Sequence, residues 1–424
     1  MNVEQYMDNL VKGSKNPSLN GMKYFMKEYD NFEKKMKFIH IAGTNGKGSC
    51  VEMISNILKC QGYKVGRFIS PHLITYNEMI TINGKEISNE EMEQLIKELE
   101  PKIEKYKLIE NKEITLFECE TIIALLYFYR NNVDFVVLET GRGGLEDCTN
   151  IISNPLISVI SSIGYDHMKA LGNTLPEIAS KKAGIIKENS NTVFFEQTQD
   201  VNKVFIDICK EKNNKLHLIK EEQINNCRND DKYQYFDFEN YKDIAIILKG
   251  EKQFRNAAVC IECMNILNEL RYKISEESIR EGLKTVIHRA RMEILNKNPL
   301  IIFDGAHNEP AIENLKSTVN MYYKNVERTY VVSILKTKDY SKMLKILMED
   351  EEAEFIFTSG IDEKRYVSKE ELFNIGLNYK ENQKIRKMTL NDAIEYTLKN
   401  NKVNFIVGSF YVYANVVKKL YTLC

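Results

Sequence analysis

Short apolar runs alternate with longer amphipathic stretches along almost the whole chain. Phe38–Ala42, Val65–Ser70, Phe135–Glu139, Leu156–Ser161 and Thr192–Phe195 are rich in β-branched and aromatic residues and predict strands. Helices are predicted between them, at Cys50–Gln61, Asn89–Lys107, Leu116–Arg130 and Leu175–Ile186. Such alternation predicts a mostly parallel sheet covered by helices. Asn83-Gly84, set between Met79–Ile82 and Lys85–Ile87, adds a hairpin to that pattern. Tyr233–Phe238 and Asp243–Lys249 read as a second, antiparallel edge, and helices at Arg255–Leu270 and Glu276–Val286 close the first domain. A polar stretch, Asn296-Lys297-Asn298-Pro299, precedes a fresh strand at Leu300–Asp304. Strands at Tyr330–Leu335, Phe355–Thr358 and Asn404–Val407 then alternate with helices again. The expected fold is α/β throughout. A P-loop-type domain with a mostly parallel sheet covers residues 1–294, 295–299 form a linker, and a smaller Rossmann-like α/β domain covers 300–424.

At 424 residues the chain exceeds one ordinary core, in keeping with two domains. A net charge of −1 gives no bulk attraction to nucleic acid. The first twenty residues are polar and lack the apolar stretch of a secretory signal. Ile122 to Tyr129, the longest apolar run, is too short to cross a bilayer and reads as a buried helix. Nine scattered cysteines form no disulfide framework, which points to a reducing cytoplasm. Cys260 and Cys263 have metal-like spacing but no second pair, so they read as one face of a helix. No partner chain or membrane is expected, and the chain is read as a monomer.

Chemistry is concentrated where the predicted strands end. Phe38–Ala42 runs into Gly43-Thr44-Asn45-Gly46-Lys47-Gly48-Ser49 and then a helix. That order suits a loop whose backbone N–H groups cradle nucleotide phosphates while a lysine reaches the terminal ones. Its spacing differs from the standard P-loop, because Gly43 lies three residues before Gly46 and Gly48 separates Lys47 from Ser49. Ser70-Pro71-His72 follow the second strand, Glu139 and Gly141-Arg142-Gly143-Gly144 the third, and Gly164, Asp166 and His167 the fourth. In a parallel sheet these groups share one edge, where a hydroxyl, a carboxylate and an imidazole suit Mg²⁺ held with phosphate oxygens and water. Asp304-Gly305-Ala306-His307-Asn308 repeats the arrangement in the second domain; Asp304 or Asn308 could equally be a helix N-cap.

In this order the strings resemble the folylpolyglutamate synthase/dihydrofolate synthase family of Mur-type ATP-dependent amide ligases. The matching pieces include the phosphate loop, Ser70-Pro71-His72-Leu73, Phe117-Glu118, Glu139 with its glycines, and Asp147-Cys148-Thr149-Asn150. They continue with Asp166-His167, Lys182-Ala183-Gly184-Ile185, Asn256-Ala257-Ala258, Arg291-Met292-Glu293, Asp304–Asn308 and Gly408-Ser409-Phe410. The resemblance implies that Asn45, Gly46, Lys47, Gly48 and Ser49, with Asn256, Arg291 and Asp304, bind ATP. It implies that Ser70, Glu139 and His167 bind Mg²⁺ and that Lys182 is carbamylated to support a second metal. Thr115, Leu116, Phe117 and Glu118, with Glu146, Asp147 and Cys148, would line the pterin site. Lys47, His167, Lys182 and His307 are the expected catalytic residues.

The chain departs from the family pattern at Leu145, which stands at an arginine position while Arg142 fills the variable position before it. His288 and Ala290 stand at tryptophan and glycine positions. The reaction so implied joins L-glutamate to a folate, or to dihydropteroate, through an acyl phosphate, with ATP as co-substrate. Two competitors remain at this level: a Mur-type ligase acting on another carboxylic acid, and a nucleotide-dependent binding protein without ligase activity.

Overall fold

The computed structural model describes residues 2–13, 18–379 and 384–423. The expected domain limits at Met1 and Cys424 therefore lie outside the described residues. Two compact units emerge. The first comprises residues up to Asn229 with Gln234–Ile247 and Gln253–Val286; the second comprises Asp230–Tyr233, Leu248–Lys252 and the chain from Ile287 onward.

The first unit is built on β1 (Phe38–Ala42), β2 (Val65–Phe68), β3 (Ile80–Ile82), β4 (Lys85–Glu86), β5 (Phe135–Glu139), β6 (Ile157–Ile160), β7 (Asn191–Phe195) and β8 (Lys215–Ile219). Their order across the sheet is β4-β3-β2-β5-β1-β6-β7-β8. Strands β2, β5, β1, β6, β7 and β8 are parallel, and the β3–β4 hairpin is antiparallel. Every residue of β1 and β5 is buried, as continuous apolar runs require when helices cover both faces. Asn83 and Gly84 both adopt positive φ, the geometry a two-residue hairpin turn needs. Ile41 pairs with Glu139 and Ala42 with Ile160, so the carboxyl ends of three central strands finish level. That register sets up the site. A separate antiparallel sheet, β11-β10-β9, contains β9 (Ile224–Asn229), β10 (Gln234–Phe238) and β11 (Tyr241–Ile246).

The second unit holds β12 (Glu293–Lys297), β13 (Leu300–Asp304), β14 (Arg328–Val332), β15 (Ala353–Phe357), β16 (Ile385–Lys387) and β17 (Val403–Val407), ordered β12-β13-β17-β14-β15-β16. Here the expected linker is corrected. Glu293–Lys297 pairs antiparallel with β13, Ile294 opposite Ile302 and Lys297 opposite Leu300, so residues 295–299 belong to a hairpin inside the second unit. An edge strand needs no apolar run, which is why this polar stretch resembles a connection. Cys260 and Cys263 are both buried on the helix Lys252–Glu269, where Cys260 packs near Met53, as the helix-face reading expects.

Candidate active site

The phosphate loop is fixed by close approach. A Cβ on Gly43 would lie 1.7 Å from Ser161 Oγ, and one on Gly46 would lie 2.8 Å from Asn256 Oδ1. Gly46 also needs its φ of +88° to start the helix Lys47–Cys60, and it supplies no side-chain cap. The helix N-terminus thus keeps its partial positive charge for an anion. Thr44 N–H donates to Ser162 O at 2.7 Å, and its hydroxyl and the Gly164 backbone are 3.1 Å apart. Gln253 Nε2 donates to the buried Ser49 hydroxyl at 3.4 Å, and Asn256 Nδ2 to Gln253 Oε1 at 3.0 Å. Asn45, Gly46, Lys47, Gly48, Ser49 and Asn256 are therefore neighbours.

Lys47 Nζ lies 3.7 Å from Glu139 Oε1 and donates to Thr44 O at 3.4 Å. Ser70 N–H donates to Glu139 Oε2 at 3.4 Å, from the adjacent strand end. Lys182 is buried, and its Nζ donates to Gly43 O at 2.6 Å. Burial, then repulsion by Lys47, lowers its pKa to about 7, against the opposing pull of Asp166 and Asp147. His167 has a φ of +50°, precedes the short helix Met168–Leu171, and leaves 48% of its side chain exposed with Nε2 3.9 Å from Asp166 Oδ1. Ser70 and Glu139 are thus brought together, while His167 faces solvent. Among the described residues no cluster of three or more His, Cys, Asp or Glu side chains suits a metal. Any ion here would rely on few protein ligands.

Thr115 and Glu118 form a capping box for the helix Leu116–Arg130: Thr115 N–H donates to Glu118 Oε2 at 2.8 Å and Glu118 N–H to Thr115 Oγ1 at 3.3 Å. Phe117 packs on Phe68, ring centroids 5.9 Å apart, and lies where a Cβ on Gly141 would stand. Leu116, Phe117 and Glu118 are partly exposed. Glu146 is exposed and 3.5 Å from Lys181 Nζ. Asp147 is buried and accepts from Arg142 N–H at 2.7 Å, Thr149 N–H at 3.1 Å and Thr149 Oγ1 at 2.6 Å. Those bonds oppose the burial that raises its pKa. Cys148, beside it, is held firmly protonated by burial and then by the Asp147 charge. With its hydroxyl hydrogen given to Asp147, Thr149 accepts from His40 Nε2 at 2.8 Å, which makes the fully buried His40 an Nε2–H tautomer. Burial lowers the His40 pKa to about 3. The motif reading passed over His40; its signal was a polar residue inside an apolar strand. Leu145 is 48% exposed and its backbone packs where a Cβ on Gly184 would sit, while the Arg142 side chain is exposed.

In the second unit, Asp304 ends β13 and accepts from Met292 N–H at 3.0 Å and Ala306 N–H at 2.9 Å, with Arg291 Nη1 3.9 Å from Oδ1. Arg291 lies over the Phe410 ring at 4.5 Å, and the His307 ring is 5.2 Å from the same phenyl group. His307 Nδ1 donates to Gly305 O at 2.8 Å. Asn308 caps the following helix through Ala311 N–H. Ala290 adopts a φ of +57°, a left-handed conformation that a glycine reaches without the Cβ penalty.

Residues 41–264 match the Mur ligase middle domain, and residues 288–419 match the dihydrofolate synthetase C-terminal domain. The chain is 36% identical over 417 residues to the dihydrofolate synthase/folylpolyglutamate synthase of Bacillus subtilis, spanning 95% of each. The solved folylpolyglutamate synthase of Thermotoga maritima superposes with a TM-score of 0.84 at 29% identity, covering 99% of this chain and 96% of its own. Escherichia coli FolC in complex with DHPP and ADP gives a TM-score of 0.84 at 25% identity, covering 99% and 97%. With both halves matched in order and a relative similar from end to end, the chain belongs to the folylpolyglutamate synthase/dihydrofolate synthase family of Mur-type ligases.

Proposed function

We propose that the protein joins L-glutamate to a folate, and to dihydropteroate, with ATP converted to ADP and phosphate. The observation that carries this reading is the uncapped helix start beside Lys47, with Glu139 and buried Lys182 at the same strand ends. The Bacillus subtilis relative is a dihydrofolate synthase/folylpolyglutamate synthase, and Escherichia coli FolC holds DHPP and ADP. A carboxylate is a poor acyl electrophile. Phosphoryl transfer makes it an acyl phosphate, whose carbonyl carbon the glutamate amine attacks with loss of phosphate.

The chain's own residues position and neutralise. Backbone N–H groups from Gly46 to Ser49 hold phosphate oxygens, and Lys47 exchanges Glu139 for the terminal phosphate. Asn256, Arg291 and Asp304 bind the rest of the nucleotide, and His307 orients the amine or the phosphate. Ser70, Glu139 and His167 would hold Mg²⁺, which supplies charge neutralisation at the phosphates when bound. The Ser70 hydroxyl and the Glu139 carboxylate are hard oxygen donors that fit Mg²⁺, which commonly keeps waters and phosphate oxygens around few protein ligands. The exposed His167 imidazole is a nitrogen donor that would have to turn toward them. Neutral Lys182 adds to CO₂, forming an N–C bond and releasing a proton, and the resulting carbamate anion would help hold a second metal. Thr115, Leu116, Phe117, Glu118, Glu146, Asp147 and Cys148 line the heterocycle site. The setting proposed is the cytoplasm, and the acting unit a monomer.

The test is ADP formation across an acid panel, with dihydropteroate and tetrahydrofolate side by side. ADP release that needs both glutamate and one of these acids supports the reading. Release that needs neither favours a nucleotide-dependent binding protein, and failure of both acids favours a ligase for another acid.

A further inference from the structure

Glu120 lies one turn beyond Leu116 on the helix Leu116–Arg130, and spacing of four places both on one face. Leu116 is partly exposed, whereas Glu120 is only 6% exposed. The buried acids Glu139, Asp147 and Asp304 are all answered, by Lys47, by Arg142 and Thr149, and by Arg291 and backbone N–H groups respectively. The Glu120 carboxyl group has no hydrogen bond or ion pair among the described residues. Burial alone acts on it and raises its pKa to about 8, so it is neutral at pH 7. Two groups outside this helix lie close enough to feel its charge. They are Cys148, from the expected heterocycle-site segment, and Tyr76, whose ring is tilted at 53° against that of His72 with centroids 4.3 Å apart.

An unanswered acid inside an apolar helix destabilises a fold, and such groups cluster where ligands bind. A neutral carboxyl presents an O–H donor and a C=O acceptor side by side. That pair complements the ring amide edge of a fused pyrimidinone, which offers one N–H and one C=O. We infer that Glu120 is a binding residue for the heterocycle of the folate-type substrate, pairing its carboxyl group with that amide edge. The assignment rests on the folate reading and adds to it the group that reads the ring.

The experiment uses the full chain and compares Glu120→Leu and Glu120→Gln with the wild type. Isothermal titration with tetrahydrofolate and with dihydropteroate gives affinities, and initial rates give KM values for ATP and acid separately. Expected for Glu120→Leu are acid binding weakened about 100-fold, an ATP KM within about twofold of wild type, and a thermal midpoint equal or higher. Glu120→Gln, which keeps a donor and an acceptor, is expected within about tenfold of wild type and serves alone if the leucine variant does not fold. Acid affinity in Glu120→Leu equal to wild type overturns the assignment while leaving the folate reading in place. A wild-type protein that binds neither acid removes the folate reading, and the assignment with it.

Discussion

Burial holds the Lys182 ammonium so far from water that its proton is lost near pH 7 rather than 10.5. Between those values the unfolded chain binds more protons than the folded one, so this group's contribution to stability rises with pH through that window. Below pH 7 the full cost of a buried charge remains. In CO₂-free buffer Lys182→Met should therefore stabilise the fold by about 3–5 kcal/mol at pH 6 and by little at pH 10, read from urea midpoints. Lys182→Ala should lose ligase activity, with partial rescue by a short carboxylic acid in millimolar amounts; a fully active variant rules out the carbamate. Lys47 is different, since it stands at a helix start where a charge is needed and packing is not. Lys47→Ala should slow turnover about 100- to 1000-fold with an almost unchanged thermal midpoint. Lys47 was legible in the sequence because glycines frame it. Lys182 was legible only through the family resemblance, because Lys181-Lys182 reads as the solvated end of a helix and only the fold buries the second lysine.

The elements that place these side chains were legible where burial is complete. Phe38–Ala42, Phe135–Glu139 and Leu300–Asp304 are predicted and observed with the same limits, because strands covered on both faces must be apolar throughout. Strands β8, β9, β12 and β16 escaped the reading; they carry exposed polar residues that an edge tolerates. The helix Lys47–Cys60 begins three residues earlier than its apolar pattern suggests, since its first turn is kept for the loop rather than for the core. Thr115 and Glu118 show how an element can claim residues that a motif assigns to a ligand. Their reciprocal hydrogen bonds predict that Thr115→Ala costs about 1 kcal/mol of stability in urea unfolding. If Thr115 also touches substrate, the same variant raises the folate KM, and the two readouts separate the roles.

At the scale of the molecule, the sequence pattern carried two α/β units but misjudged where the second begins, because the hairpin Glu293–Asp304 opens on an edge strand that reads as a connection. The C-terminal match, residues 288–419, lies within the second unit, whereas the middle-domain match, residues 41–264, also runs through Asp230–Tyr233 and Leu248–Lys252, which fold with that second unit. No described helix is long and apolar enough to cross a membrane. The acid substrate was the least legible part, as Leu145, where the resemblance leads one to expect an arginine, and Arg142 are both exposed. The central claim is that ATP hydrolysis is tied to an amide bond between a folate and glutamate. Mass spectrometry of tetrahydrofolate after incubation with the protein, ATP, Mg²⁺ and L-glutamate tests it most directly. The account predicts a product heavier by one glutamyl residue, formed with one ADP each and absent when ATP or glutamate is omitted. ADP that accumulates while the folate and dihydropteroate masses stay unchanged would contradict it.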